Sequence, residues 1–349
     1  MVKDIGKQSK KHVSRSNPIF KQDFKCNITA YNYPALQPYE HHEPKGGQAY
    51  YHKTTAKLQI LYKLYRILCK YPHYSFFLHM KKTCLSQGRR IAYYQNGVSA
   101  GLPLLLLHGF CEDASVWDGF IKGIEGIALI RIDLPGFGGS DLPGAAGMEH
   151  YADAVKAVLD ELNVPSCVLI GHSLGGYAGL AFAKAYPNYL AGLGLFHSHP
   201  FADKPEQTEA RQRGIEMLHL GKKDLYVAQL FPKLFPPAFA EKHPDILDAL
   251  IRRGRQHSAA GIIGALESMI ARPDQMNTLR EAAYPVLFLL GEEDTLVPPA
   301  QGLSAATAPG IVDVHLLPGV GHMGMFEATA ETAGICTDFW RFCATHQQA

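Results

Sequence analysis

Residues 167–175, Cys-Val-Leu-Ile-Gly-His-Ser-Leu-Gly, decide the fold of this chain. The first four residues are apolar and predict a buried strand, and small apolar residues at helical spacing over 174–185 predict a helix. At the junction, residues 171–175 match G-x-S-x-G, a pattern that places a serine on a sharp strand-to-helix turn. Glycines allow the backbone to approach closely there, and the helix N-terminus adds partial positive charge. We interpret Ser173 as a candidate nucleophile, with an ordinary tight turn as the alternative.

Apolar strand patterns alternate with helical patterns on both sides of this turn. The sequence predicts strands at 90–95, 104–107, 128–132, 167–170, 193–196, 285–290 and 312–317, and a closing helix at 326–343. Such alternation is typical of an α/β fold with a doubly wound, mostly parallel sheet. Between about 200 and 280 the pattern is helical throughout, which predicts an α-helical insertion.

Charge divides the chain into two parts. Residues 1–79 contain 13 Lys and Arg against 4 Asp and Glu, a net charge of +9, and the remainder has 21 against 28, a net charge of −7. We therefore expect a basic, poorly ordered N-terminal extension over 1–79. The core is expected at 80–198 and 281–349, with a helical cap at 199–280.

The composition excludes several classes of protein. Seven cysteines without a C-x-x-C pair, and no evident secretory signal, predict a reducing, cytoplasmic location. The sequence contains no run of 18 apolar residues, so we predict no membrane-spanning helix. Residues 57–70 fit a basic amphipathic helix, and the segment 57–78 could then contact a membrane surface, but we favour packing on the main domain or no fixed structure. The acidic body argues against nucleic-acid binding, and the oligomeric state stays open.

A serine needs a base to become a nucleophile, and the base needs an acid to orient it. Asp294 and His322 each follow a predicted strand, so the carboxyl edge of a parallel sheet would bring both beside Ser173. A turn residue and a surface histidine are the alternatives for these two. Glu292 and Glu293 are alternative acids on the same turn.

The loop after the strand at 104–107 begins His108-Gly109-Phe110. Its backbone can turn so that the Phe110 N–H faces the same space as the Leu174 N–H. Two such donors would stabilise the negative charge of a tetrahedral intermediate. The glycine-rich loop at 133–140 is interpreted as structural.

Together, these motifs resemble the α/β-hydrolase superfamily over roughly residues 88–345, and the insertion resembles its helical cap. The resemblance implies that Ser173 is the nucleophile, His322 the base and Asp294 the acid. It also implies that Phe110 and Leu174 donate to an oxyanion hole. Serine at position 173 excludes the branches of the superfamily that use aspartate there.

The resemblance implies hydrolysis of a small carboxylic ester, thioester or lactone through an acyl-enzyme, with no cofactor or metal. C–C bond hydrolysis or a lyase step with the same triad is the alternative, and a non-catalytic ligand-binding protein is a third hypothesis. His197 and His199 follow a strand and would form a polar pocket wall. Arg252, beside Arg253 and Arg255, could bind a substrate carboxylate, but a solvated helix face is the favoured interpretation of these arginines. A base with an ordinary histidine pKa, about 6.5, is expected.

Overall fold

The computed structural model describes residues 81–96 and 101–346. Within them, eight strands form one sheet in the order β1-β2-β4-β3-β5-β6-β7-β8. Pairing is antiparallel from β1 through β2 to β4 and parallel across the rest of the sheet. The predicted mostly parallel α/β sheet is therefore confirmed. The strands are β1 (Lys81–Ser86), β2 (Arg89–Asn96), β3 (Leu104–Leu107), β4 (Leu129–Ile132), β5 (Cys167–His172), β6 (Leu190–Phe196), β7 (Val286–Gly291) and β8 (Val312–Leu317).

The described residues also form eleven α-helices. These are α1 (Met148–Glu161), α2 (Leu174–Ala185), α3 (Pro205–His219), α4 (Lys223–Leu230), α5 (Pro237–Lys242), α6 (Pro244–Gly254), α7 (Ala259–Ala271), α8 (Met276–Arg280), α9 (Pro299–Ala305), α10 (Gly324–Glu327) and α11 (Thr329–His346). None of these helices combines the length and the apolar character needed to cross a membrane.

Helices cover both faces of the sheet at β6. Leu193 approaches Gly179 of α2, whereas its neighbour Gly192 approaches Phe339 and Cys343 of α11. Consecutive residues of a strand point to opposite faces, so α2 and α11 lie on opposite sides. All residues of β5, β6 and β7 are accordingly buried, as expected for strands covered twice.

Helices α3 to α8 lie between β6 and β7, and residues 197–285, all of them described, contain no strand. Helix α3 packs on α7. This is the region where the sequence predicts a helical insertion; its use as a cap stays a prediction. The predicted N-terminal extension and the amphipathic segment at 57–78 lie outside the described residues.

Candidate active site

Ser173 occupies the turn between β5 and α2. Its φ of 49° and ψ of −111° place it in a left-handed conformation, which costs a residue with a Cβ about 1–3 kcal/mol. The Ser173 N–H donates to the Phe196 carbonyl at 3.0 Å, and the Ser173 carbonyl accepts from Ser198 Oγ at 2.9 Å. Contacts with the end of β6 thus hold the strained turn, and the Ser173 side chain remains partly exposed.

The glycines on either side make this turn possible. A Cβ on Gly171 would lie 2.2 Å from the Gly175 carbonyl oxygen, and one on Gly175 would lie 2.5 Å from the carbonyl oxygen of Leu107. Both neighbouring atoms belong to the backbone, which cannot move away without disturbing strand or helix. Glycine at these two positions therefore allows strand β5, helix α2 and the end of β3 to approach one another more closely than any residue with a side chain would.

Asp294 follows β7 and His322 follows β8, and these two strands are neighbours in the sheet. Asp294 Oδ2 accepts a hydrogen bond from His322 Nδ1 at 2.7 Å, and Oδ1 accepts from the amides of Leu296 and Val297, both at 2.9 Å. Because a carboxylate only accepts, the ring proton is on Nδ1 and the Nε2 lone pair is free. This tautomer can take a proton from a serine.

Burial and mutual attraction compete in setting the pKa values of this pair. Burial opposes ionisation of Asp294, but the charge and hydrogen bond of His322 outweigh it and hold the pKa of that carboxyl below its usual value. Burial also favours neutral His322, but Asp294 outweighs it and raises the pKa of the imidazole above 6.5. The expected histidine pKa near 6.5 is therefore corrected upward.

Glu292 and Glu293, the alternative acids, are both exposed on the turn after β7. Glu292 Oε2 accepts from the Gly319 amide at 3.2 Å. Neither carboxylate is among the hydrogen-bond partners of His322 in the described chain. Asp294 is thus the acid that the geometry favours.

The amides of Phe110 and Leu174 belong to two segments next to Ser173. Leu174 is the first residue of α2, so its N–H has no carbonyl partner within the helix. Among the described residues, neither the Phe110 N–H nor the Leu174 N–H donates to a protein acceptor. Both donors are therefore available to a bound anion, as an oxyanion hole requires.

A cavity of about 270 Å³ contains both Ser173 and His322 in its wall. Most of the remaining wall is apolar and comes from the sheet edge and the helical insertion: Phe110, Tyr226, Leu230, Leu234, Leu266, Met269, Leu296 and Val297. The insertion is also fixed to His322, whose backbone N–H donates to the Leu234 carbonyl at 2.9 Å. The helical segment therefore shapes the space in front of the serine.

The cavity wall includes none of the three residues predicted to bind substrate, as far as the described residues show. His197 is buried behind the acid, with its Nδ1 3.7 Å from Asp294 Oδ2, and burial lowers its pKa well below the usual value. His199 Nε2 shares a hydrogen bond with the Tyr177 hydroxyl at 3.2 Å. Arg252 is exposed on α6. The reason is that the chain after β6 stays buried and turns both imidazoles inward, while residue 252 lies on the outer side of its helix.

Two charged residues that the sequence analysis did not assign line the cavity instead, Glu112 and Arg211. Glu112 lies in the same loop as Phe110, so the sequence already shows an acid close to the proposed oxyanion donor. Arg211 lies on α3, and nothing in a helical pattern tells which of its arginines faces a cavity. These positions needed the packed structure.

The family model described as the alpha/beta hydrolase family matches residues 104–335. A 2-succinyl-6-hydroxy-2,4-cyclohexadiene-1-carboxylate synthase of Escherichia coli O157:H7 is 27% identical over 246 residues, covering 69% of this chain and 95% of that protein. Lipase 1 of Psychrobacter immobilis is 28% identical over 266 residues, covering 73% of this chain and 82% of that protein. A thermophilic esterase from Thermogutta terrifontis, solved with malate bound, superposes with a TM-score of 0.71 at 28% identity, covering 76% of this chain and 99% of that one. This chain belongs to the alpha/beta hydrolase family.

Proposed function

We propose that this protein is a serine hydrolase that cleaves a small carboxylic ester through an acyl-enzyme on Ser173. The observation that carries the proposal is that Ser173 and His322, oriented by Asp294, share one cavity wall. The related esterase and lipase support hydrolase chemistry in general. The apolar residues in the cavity wall suit an acyl chain.

The mechanism follows from the atoms that face the cavity. Ser173 Oγ attacks the ester carbonyl while His322 Nε2 takes its proton, and Asp294 stabilises the imidazolium that forms. The amides of Phe110 and Leu174 hold the oxyanion. The alcohol then leaves with the proton from Nε2, and water releases the acid by the same steps in reverse order.

The cavity size sets the expected substrates. At about 270 Å³, it lies near the lower end of small-molecule sites. In a series of p-nitrophenyl esters of increasing acyl length, kcat/KM should therefore peak at short to medium chains and decline for long ones. No turnover of any member would contradict the proposal, whereas a preference for long chains would contradict only the size argument.

A second candidate is a lyase or C–C bond hydrolase reaction on a carboxylate-bearing substrate, with the same three residues. The synthase among the relatives carries a carboxylate in the name of its product. In this chain, Asp203 pairs with two guanidinium groups, Arg211 Nε at 2.7 Å and Arg272 at 2.6 Å. Two cations on one carboxylate leave a net positive charge beside the cavity.

The Arg211 guanidinium has N–H groups that donate to no acceptor among the described residues. Of its five N–H groups, two point to Asp203 and one to the sulfur of Met269. Two remain for a ligand, and the side chain is 20% exposed in the cavity wall. A carboxylate on the substrate would match this charge and geometry.

A pair of esters of equal length, one with a terminal carboxylate and one neutral, tests this candidate. Arg211→Gln should lower kcat/KM for the anionic ester about tenfold relative to the neutral one, the size of one charged hydrogen bond. The control is Arg213→Gln on the same helix, because Arg213 is exposed and pairs with exposed Glu209 at 3.7 Å. An unchanged ratio in Arg211→Gln would remove the argument for an anionic substrate. Turnover of a vinylogous diketone would then distinguish C–C cleavage from ester hydrolysis.

A further inference from the structure

A second carboxylate and imidazole pair lies beside the candidate triad, and both side chains also line the cavity. Glu112 Oε2 accepts the Gly109 N–H at 2.7 Å and lies 3.3 Å from His172 Nδ1. His172 Nε2 lies 2.9 Å from the carbonyl oxygen of His322. The two side chains are only 2% and 1% exposed. One continuous chain of hydrogen bonds thus runs from the loop at 108–112, which we term the donor loop, to the residue proposed as the base.

The atoms in this chain determine where the protons are. A carbonyl oxygen only accepts, so His172 Nε2 must donate to His322. Nδ1 then faces a carboxylate oxygen, and a proton must lie between them. Burial raises the pKa of Glu112, but His172 outweighs it and holds the pKa of that carboxyl below its usual value. Glu112 is therefore the ionised carboxylate of this pair, and His172 Nδ1 faces its Oε2 atom.

The surroundings leave this pair little freedom to rearrange. The His172 ring packs edge-on against Trp117 and Phe196, with centroids 6.4 and 5.9 Å away. A Cβ on Gly109 would lie 2.6 Å from His172 Nδ1. The donor loop is thus seated directly on the His172 ring, so a displacement of one moves the other.

We propose that Glu112 and His172 are positioning residues that hold the donor loop and the His322 loop in register across Ser173. Glu112 fixes the Gly109 amide and so the direction of the next residue, Phe110, whose N–H is the proposed oxyanion donor. His172 fixes the backbone of His322 through the His322 carbonyl oxygen, and Asp294 fixes the His322 ring. The kinetic consequence rests on the proposed ester hydrolysis, whereas the structural linkage does not.

Kinetics of four variants test the linkage: Glu112→Gln, His172→Gln, the double variant, and Glu125→Gln as a control for loss of an exposed carboxylate. Each single variant should lower kcat about 10- to 100-fold, the cost of misplacing catalytic groups by a fraction of an ångström to 1 Å. The double variant should lose about as much as one single variant, because both changes break the same chain. The control should keep wild-type kcat.

Histidine side-chain ¹⁵N NMR of the full protein supplies a readout that does not depend on activity. In wild type His172 Nε2 should carry a proton, because it faces the His322 carbonyl oxygen, and Glu112→Gln should shift the ring signals of His322. Glu112→Asp, which retains the charge, should keep more of kcat than Glu112→Gln.

Four results would overturn the inference. Single variants with wild-type kcat and a lowered Tm would show a purely structural role, and a double variant whose loss is the product of the single losses would show independent action. A His172 Nε2 without a proton, or His322 signals unaffected by Glu112→Gln, would break the linkage itself. If wild type hydrolyses no ester, the proposed function fails, and the NMR result alone decides this inference.

Discussion

Ser173, Asp294 and His322 come from separate parts of the chain and lie at one edge of the sheet, because each one follows a parallel strand. Ser173, Asp294 and His322 could be singled out from the sequence for this reason: each stands directly after an apolar run, and parallel strands end at the same edge. The pairing of Glu112 with His172 could not be predicted from the sequence. It requires β3 and β5 to be neighbours, with β4 on the other side of β3, and strand order is not visible in the hydrophobic pattern.

The assignment of the acid is tested by conservative substitutions. Asp294→Asn should lower kcat by up to about 10⁴-fold, because an amide that donates to Nδ1 stabilises the wrong imidazole tautomer. Glu292→Gln and Glu293→Gln, which change exposed carboxylates on the same turn, serve as matched controls and should keep most of kcat. Ester turnover of the three purified variants is the measurement. Equal losses in all three would leave Asp294 without its role.

The raised pKa of His322 predicts where activity falls with pH. His322 must be neutral to accept the serine proton, so kcat/KM should decrease as the pH drops through its pKa, which lies above 6.5 because of Asp294. In Asp294→Asn the residual activity should titrate at lower pH, since the attracting carboxylate is gone. Other charges near the ring, Glu112 and Glu327, raise the pKa as well and remain in that variant. A wild-type profile that is flat from pH 5 to 8 contradicts a histidine base.

At the scale of elements, apolar runs and helical spacing located most strands and helices to within a few residues. Strand β1 was not expected, because its alternate residues are largely exposed and it pairs only at the edge of the sheet. The predicted closing helix at 326–343 is two helices, α10 and α11. Ala328, with φ −136° and ψ 49°, interrupts them, and alanine carries no sequence signal for such a break.

At the junction of β5 and α2, we predict that one added methyl group strongly lowers the stability of the fold. Gly171→Ala should lower the free energy of unfolding by about 2–3 kcal/mol or more, because its Cβ would meet backbone atoms at 2.2 Å. Gly264→Ala in α7 is the control, since the nearest atom to its Cβ is 3.8 Å away. That change should be neutral or stabilise the helix by up to about 1 kcal/mol. Urea unfolding of both variants measures the difference, and similar stabilities would mean that the turn is looser than described.

At the scale of the molecule, the described core is continuous from Cys84 in the first strand to Cys343 in the last helix. The charge change near residue 80 predicts that a chain beginning at Met80 folds, with a Tm within a few degrees of the full chain and unchanged kcat. Melting curves and turnover of the two proteins check this, and co-sedimentation with anionic vesicles tests membrane contact by residues 57–78. An insoluble shortened protein, or one much less stable, would show that the first 79 residues belong to the folded unit.

The central claim is that Ser173 forms a covalent intermediate, and peptide mass spectrometry after reaction with a fluorophosphonate tests it most directly. The adduct should lie on Ser173, and turnover should fall in proportion to labelling. Ser173→Ala should stay unlabelled, lose about 10³-fold or more of kcat, and keep the wild-type Tm. Labelling at a different residue, or near wild-type turnover in Ser173→Ala, would contradict the account.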